Sequence, residues 1–97
     1  MAQTVYSTTV LAGGKRVLLE KPRRLHRIFF SIRAFADPSE WYESKISFDD
    51  PQFRSFYVLD GPAKYFAAEG DDIFQGNIWV YNLSEINLLY SATEILR

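Results

Sequence analysis

The 97-residue chain has no cysteine and a single histidine, His26, which excludes disulfide staples and thiolate metal sites and leaves little for imidazole ligation. Eleven basic against twelve acidic residues give a formal charge of −1, which argues against nucleic-acid coating, since that rests on a net basic footprint. A chain of this length makes one domain that buries roughly two-thirds of its unfolded surface, and an aromatic share of 16% sets it apart from disordered sequences.

Val5 to Leu11 is dense in β-branched residues and runs into Gly13-Gly14, after which Val17-Leu18-Leu19 follows. The pair reads as an antiparallel hairpin over a two-glycine turn. Lys21-Pro22 ends the second strand. The longest run is Leu25 to Ala36, where period-two alternation puts His26, Ile28, Phe30, Ile32, Ala34 and Ala36 inward. Leu25, Arg27, Phe29, Ser31, Arg33 and Phe35 then face outward. Asp37-Pro38-Ser39-Glu40 makes a turn, and Tyr42, Ser44, Ile46 and Phe48 form the next inward face.

Asp49-Asp50-Pro51 breaks the chain again, and Phe53 to Leu59 is a strand closed by Asp60-Gly61-Pro62. Lys64 to Ala68 follows, ended by Glu69-Gly70-Asp71-Asp72. Ile73 to Leu83 is a strand bent near Gly76-Asn77. Ile86 to Leu96 closes the fold: Tyr90, Thr93 and the isoleucines favour a strand over the helix that the composition of Ser84 to Arg97 also permits. The expected fold over residues 1–97 is therefore all-β, a single antiparallel two-sheet sandwich of about eight strands with jelly-roll or Greek-key connections. The alternative is a five- or six-stranded OB-type barrel.

Little in these elements is arranged for chemistry. Gly13-Gly14-Lys15 lacks the spacing of a phosphate loop and has no helix after it, so it reads as turn glycine. Asp49-Asp50 and Asp71-Asp72, with Asp60 and Glu69, are acidic enough for calcium but lack a ligand-loop pattern; Asp beside Gly or Pro is turn chemistry. His26 has no serine or cysteine in a nucleophile context. No catalytic, cofactor or metal residue is assigned, and the chain reads as a non-enzyme. Met1-Ala2-Gln3-Thr4 carries neither part of an export signal, and apolar stretches as short as Ile28-Phe29-Phe30 fall far below a membrane span. The expectation is a protein made in a cytoplasm, with no membrane partner and with the sequon Asn82-Leu83-Ser84 unused.

What stands out is the outward set. Lys21, Arg23, Arg24, Arg27 and Arg33 are the one local charge asymmetry, and Arg27, Phe29, Arg33 and Phe35 share one face of the long strand. Arginine with aromatics is an interface composition, so these four form a candidate protein-interaction surface. A plain solvated face and a stacking platform for single-stranded nucleic acid are the competing readings. Phe29, Phe35, Trp41, Phe53, Tyr57 and Leu89 all lie opposite the inward sets, which leaves more apolar surface than one core takes and points to a homo-oligomer. Trp41 and Trp79, with Tyr42, Tyr57 and Tyr81, offer a sugar-stacking platform if they are not packed inside.

At Ala68-Glu69-Gly70-Asp71-Asp72-Ile73-Phe74-Gln75-Gly76-Asn77-Ile78-Trp79-Val80, and at the closing Tyr90-Ser91-Ala92-Thr93-Glu94-Ile95-Leu96, the chain resembles the small all-β proteins that decorate or cement the icosahedral capsids of tailed bacteriophages. The resemblance implies a jelly-roll-like virion protein seated on a major capsid protein or another virion protein. It further implies a dimer or trimer, with no cofactor and no catalysis, made in the host cytoplasm. It fixes no binding residue. A carbohydrate- or receptor-binding module of a phage adhesion device and an OB-like single-strand binder are the alternatives.

Overall fold

A computed structural model describes residues 2–36, 42–59, 64–67 and 75–97. They form eight strands: β1 (Ala2–Val10), β2 (Lys15–Leu19), β3 (Arg27–Phe35), β4 (Ser44–Phe48), β5 (Tyr57–Leu59), β6 (Lys64–Ala67), β7 (Ile78–Asn82) and β8 (Leu88–Leu96). Two four-stranded sheets result, with orders β1-β8-β3-β6 and β2-β7-β4-β5. All pairings are antiparallel. Among consecutive strands only β4 and β5 pair with each other; every other step passes between the sheets. That order is a jelly roll, two interleaved Greek keys, and it rules out the OB-type barrel. No α-helix occurs among the described residues, and Leu88–Leu96 is a strand.

The expected β1–β2 hairpin is not formed. Gly13 does adopt a positive φ of 74°, and the Gly14 amide closes the turn on the Leu11 carbonyl at 2.8 Å. Beyond the turn, however, the chain bonds to β7: Gly13 donates to the Asn82 carbonyl and Asn82 donates to that of Gly14, both at 2.9 Å. A glycine turn serves a corner between sheets as readily as a hairpin. Asn82 holds this corner from inside. Fully buried, its side-chain amide donates to the Val10 and Ile86 carbonyls at 3.0 and 2.9 Å and accepts from the Ser84 amide at 2.9 Å. The sequon asparagine is thus a core residue.

The core is filled from both sheets. Phe30, Ile32 and Ala34 of β3 join Leu88, Tyr90 and Ala92 of β8 from one sheet; Leu18, Leu19, Ile46, Leu59, Ile78 and Val80 come from the other. Phe30 meets Phe48 edge-to-face at 5.7 Å. Tyr42 and Phe48 pack against this cluster, partly buried, so the inward face read for that segment holds. Between the sheets, the hydroxyls of Tyr90 and Ser44 hydrogen-bond each other.

Burial pushes the Tyr90 hydroxyl, against the pull of the Ser44 bond, up to about 12 from 10.0. The native state therefore keeps a proton that the unfolded chain gives up sooner. This contribution to stability is complete below pH 10 and is lost as pH rises toward 12, a change on the order of 2 kcal/mol. Urea midpoints measured from pH 9 to 12 should fall more steeply for the wild type than for Tyr90→Phe. Below pH 10 that variant should be weaker by about 1–3 kcal/mol, because the Ser44 hydroxyl loses its buried partner.

The alternation of β3 breaks once. Its pairing with β8 runs Phe29↔Ile95 through Phe35↔Leu89, but shifts between Arg27 and Phe29, where Arg27 stands opposite Leu96. This bulge at Ile28 changes parity by one residue, since side chains alternate with period two. Phe30, Ile32 and Ala34 stay inward as read, while Ile28 is only half-buried and His26 is exposed. Arg27, expected on the outer surface, is turned into the interior and is 0% exposed.

Two further strands are shorter than the alternation indicated. Phe53 lies in the β4–β5 loop at a φ of 54° and is buried, so the strand read from Phe53 starts only at Tyr57. The Asp50 carboxylate organises this loop, accepting amide hydrogens from Gln52, Arg54 and Ser55 at 3.0, 2.8 and 3.3 Å. Desolvation works to raise that carboxyl, but these bonds and the Arg54 charge outweigh it and hold it below 3.8. The segment read from Ile73 begins as strand only at Ile78, and its first two residues lie outside the described part. Gly76 sits so close to Asp49 that a Cβ there would meet the Asp49 Cβ at 2.7 Å. Also outside the described residues are the turns at 37–40, 60–62 and 69–72, and Trp41.

Candidate protein-docking surface

The outer faces of the two sheets differ in kind. On the β2-β7-β4-β5 sheet, cross-strand register sets Val17, Trp79 and Ser47 in one row and Lys15, Tyr81, Lys45 and Val58 in the next. The β4–β5 loop folds back over these rows. Phe53 is only 7% exposed and packs on Tyr81 at 5.5 Å, with the Lys15 ammonium 4.8 Å from the Tyr81 ring. Lys45 likewise lies 4.1 Å from the centre of the Phe56 ring. Ser47 is buried beneath, its hydroxyl donating to the Asp50 carbonyl at 2.5 Å. The loop thus covers part of this sheet: Tyr81 is half-buried beneath Phe53 and Trp79 is half-buried, while Phe56 and Tyr57 stay 43% and 45% exposed and Trp41 lies outside the described residues.

On the β1-β8-β3-β6 sheet the register gives four rows across β1, β8 and β3: Thr9, Leu89, Phe35; Ser7, Ser91, Arg33; Val5, Thr93, Ser31; Gln3, Ile95, Phe29. These are apolar and small hydroxyl residues, with one amide, Gln3, and one charge, Arg33. The inward parity is fixed by the buried Phe30, Ile32, Tyr90 and Ala92, so these rows face out. Val5, Leu89 and Phe35 are 63%, 43% and 45% exposed. The Arg33 guanidinium lies 5.0 Å from the Phe35 ring centre, which flattens the arginine onto the sheet. A sheet face exposed to water ordinarily carries polar and charged side chains in alternation with its core set. Here that alternation gives mostly hydroxyl and hydrocarbon, with one amide and one charge.

Three of the four residues singled out in the sequence therefore meet on this face: Phe29, Arg33 and Phe35. Arg27 does not. Its Nε bonds the Glu94 carboxylate at 2.8 Å, one Nη donates to the Gly76 carbonyl at 3.0 Å, and the other to that of Glu20 at 2.8 Å. The Gln75 side chain bonds both the amide and the carbonyl of Arg27, at 2.8 and 2.7 Å. Arg27 thus ties β3 and β8 of one sheet to the ends of β2 and β7 of the other. A readable signal existed in β8: Glu94 occupies the inward parity of Leu88, Tyr90 and Ala92, and a carboxylate at such a position calls for a buried cation. The contribution of β1 to the face was also missed, although residues 2–14 carry no charge at all.

Beside Arg27 the edges of β1 and β2 part to leave a groove of about 460 Å³, lined by Thr4, Tyr6, Leu18, Leu19 and Glu94 among others. Glu94 is engaged by Arg27. Among the described residues no cluster of three or more carboxylate or imidazole groups is placed to share a cation. Asp60, Glu69, Asp71 and Asp72 lie outside them.

The fold and the bare face define the chain as a small jelly-roll domain. No protein-family profile matches it, and a search of curated proteins finds no match.

Proposed function

We propose that this chain is a non-enzymatic structural protein that docks, by the outer face of its β1-β8-β3-β6 sheet, onto the protein lattice of a virus capsid, which it decorates or cements as a homo-oligomer. One observation carries the reading: the four rows of mostly hydroxyl and apolar side chains with Arg33 as their only charge, on a domain whose other sheet is partly covered by its own loop. A depleted charge count with arginine and phenylalanine at hand is the composition of an interface centre. Flat faces of this kind fit a flat, extended partner better than a small molecule, for which a concave site is needed. Repetition over a lattice multiplies contacts that are individually weak.

Co-sedimentation with purified virus particles tests the reading. The wild-type chain should pellet with them, and Arg33→Glu with Phe35→Ser should weaken attachment at least tenfold, equivalent to about 1.4 kcal/mol. Both side chains are exposed, so the variant should keep the wild-type circular dichroism spectrum and melting midpoint. Equal attachment of a folded variant would remove this face from the account.

A further inference from the structure

A sheet edge is an open row of backbone donors and acceptors, and natural proteins shorten, charge, bulge or cover such rows. Three of the four edges here follow that rule. Within the described residues β5 has three and β6 has four. β2 carries Lys15 and Arg16, and its pairing with β7 shifts between Val17 and Leu19. β1 does none of these things. It is nine residues long, uncharged and proline-free, and pairs with β8 in unbroken register from Ala2↔Leu96 to Val10↔Leu88. No described residue bonds its other side.

The open groups can be assigned. Arg97 and His26 exchange backbone bonds at 2.8 and 3.0 Å, so alternate residues of β8 from Ile95 back to Leu89 turn their N–H and C=O toward β3. Those between, Leu96 back to Leu88, bond β1 through its even-numbered partners. The odd-numbered residues Gln3, Val5, Ser7 and Thr9 therefore point their N–H and C=O groups outward.

We infer that β1 is the dimerisation edge of this protein, pairing antiparallel with β1 of a second copy about a two-fold axis at Tyr6. In that register Gln3 meets Thr9 and Val5 meets Ser7 of the partner copy, and each open donor finds an open acceptor. A second copy is favoured over another protein because the strand suits itself: with no charge, antiparallel self-pairing sets no like charges opposite each other. The isologous contact closes on itself, so it ends at a dimer and uses up the one long, unprotected edge. Each sheet joins its twin, and the docking rows run on across the axis. This inference goes beyond the capsid reading and does not rest on it.

Light scattering and sedimentation equilibrium on the purified chain, with three variants, decide the matter. The wild type should have the mass of a dimer. Ser7→Pro removes only an outward N–H, and edge strands admit proline there, so it should be a folded monomer with an unchanged circular dichroism spectrum. The chain has no cysteine, so Tyr6→Cys introduces one thiol per copy. Facing its twin at the axis, it should oxidise to a linked dimer within the reach of a disulfide. Gln3→Cys, whose twin lies far along the strand, should not. A monomeric wild type would overturn the inference, as would a dimer indifferent to Ser7→Pro or equal cross-linking from positions 3 and 6.

Discussion

Arg27→Ala is expected to destabilise the domain by about 3–5 kcal/mol, the usual cost of breaking a buried ion pair from one side. The guanidinium is fully buried and bonds Glu94, Gly76 and Glu20, so its loss leaves a buried carboxylate and two carbonyls without their donor. Domains of this size are stable by only about 5–15 kcal/mol in total, so the variant should be largely unfolded at moderate urea. A paired change, Arg27→Met with Glu94→Leu, should recover much of the loss, because a buried pair replaced by apolar groups of similar volume is often neutral or better. Urea unfolding of the two proteins measures both effects. A loss below about 1 kcal/mol for Arg27→Ala would mean that the side chain sits outside, on the docking face.

Phe30→Ala should cost a similar amount, about 3–5 kcal/mol, for a different reason. Phe30 is fully buried at the centre of β3, edge-on to Phe48, among residues from both sheets. Truncation removes its transfer energy and leaves a cavity that the two hydrogen-bonded sheets cannot close up. Chemical denaturation would show this as a lowered midpoint with an unchanged slope. Phe35→Ala, five residues along the same strand on the other face, should stay within about 0.5 kcal/mol. The contrast between the two phenylalanines is a direct reading of strand parity.

Parity is also where the sequence was most and least readable. The run from Phe29 to Phe35 announces its buried face without ambiguity, and its phase agrees with the structure. One bulge at Ile28 then reverses the assignment of Arg27, and no turn residue or glycine marks it. Its trace lies far away, in the charged inward position of Glu94 on β8. Pairing was harder than strand content. Gly13-Gly14 marks a turn whether the chain folds back or crosses to the other sheet, and what selects the crossing is the buried Asn82 amide, distant in sequence. Phe53 was read as an outward strand residue; it is a buried loop residue because Asp50 curls the loop over Tyr81. Of the outer face proposed for docking, the β3 residues Phe29, Arg33 and Phe35 were readable in the sequence. The β1 and β8 contributions depend on the jelly-roll strand order, which no local pattern encodes.

The central claim is that the chain is a structural component of a virus shell, and quantitative mass spectrometry of purified particles from its source tests it most directly. The account predicts that the chain is present at a copy number in fixed proportion to the major shell protein. Absence from the particles, or a few copies confined to the tail, would contradict it.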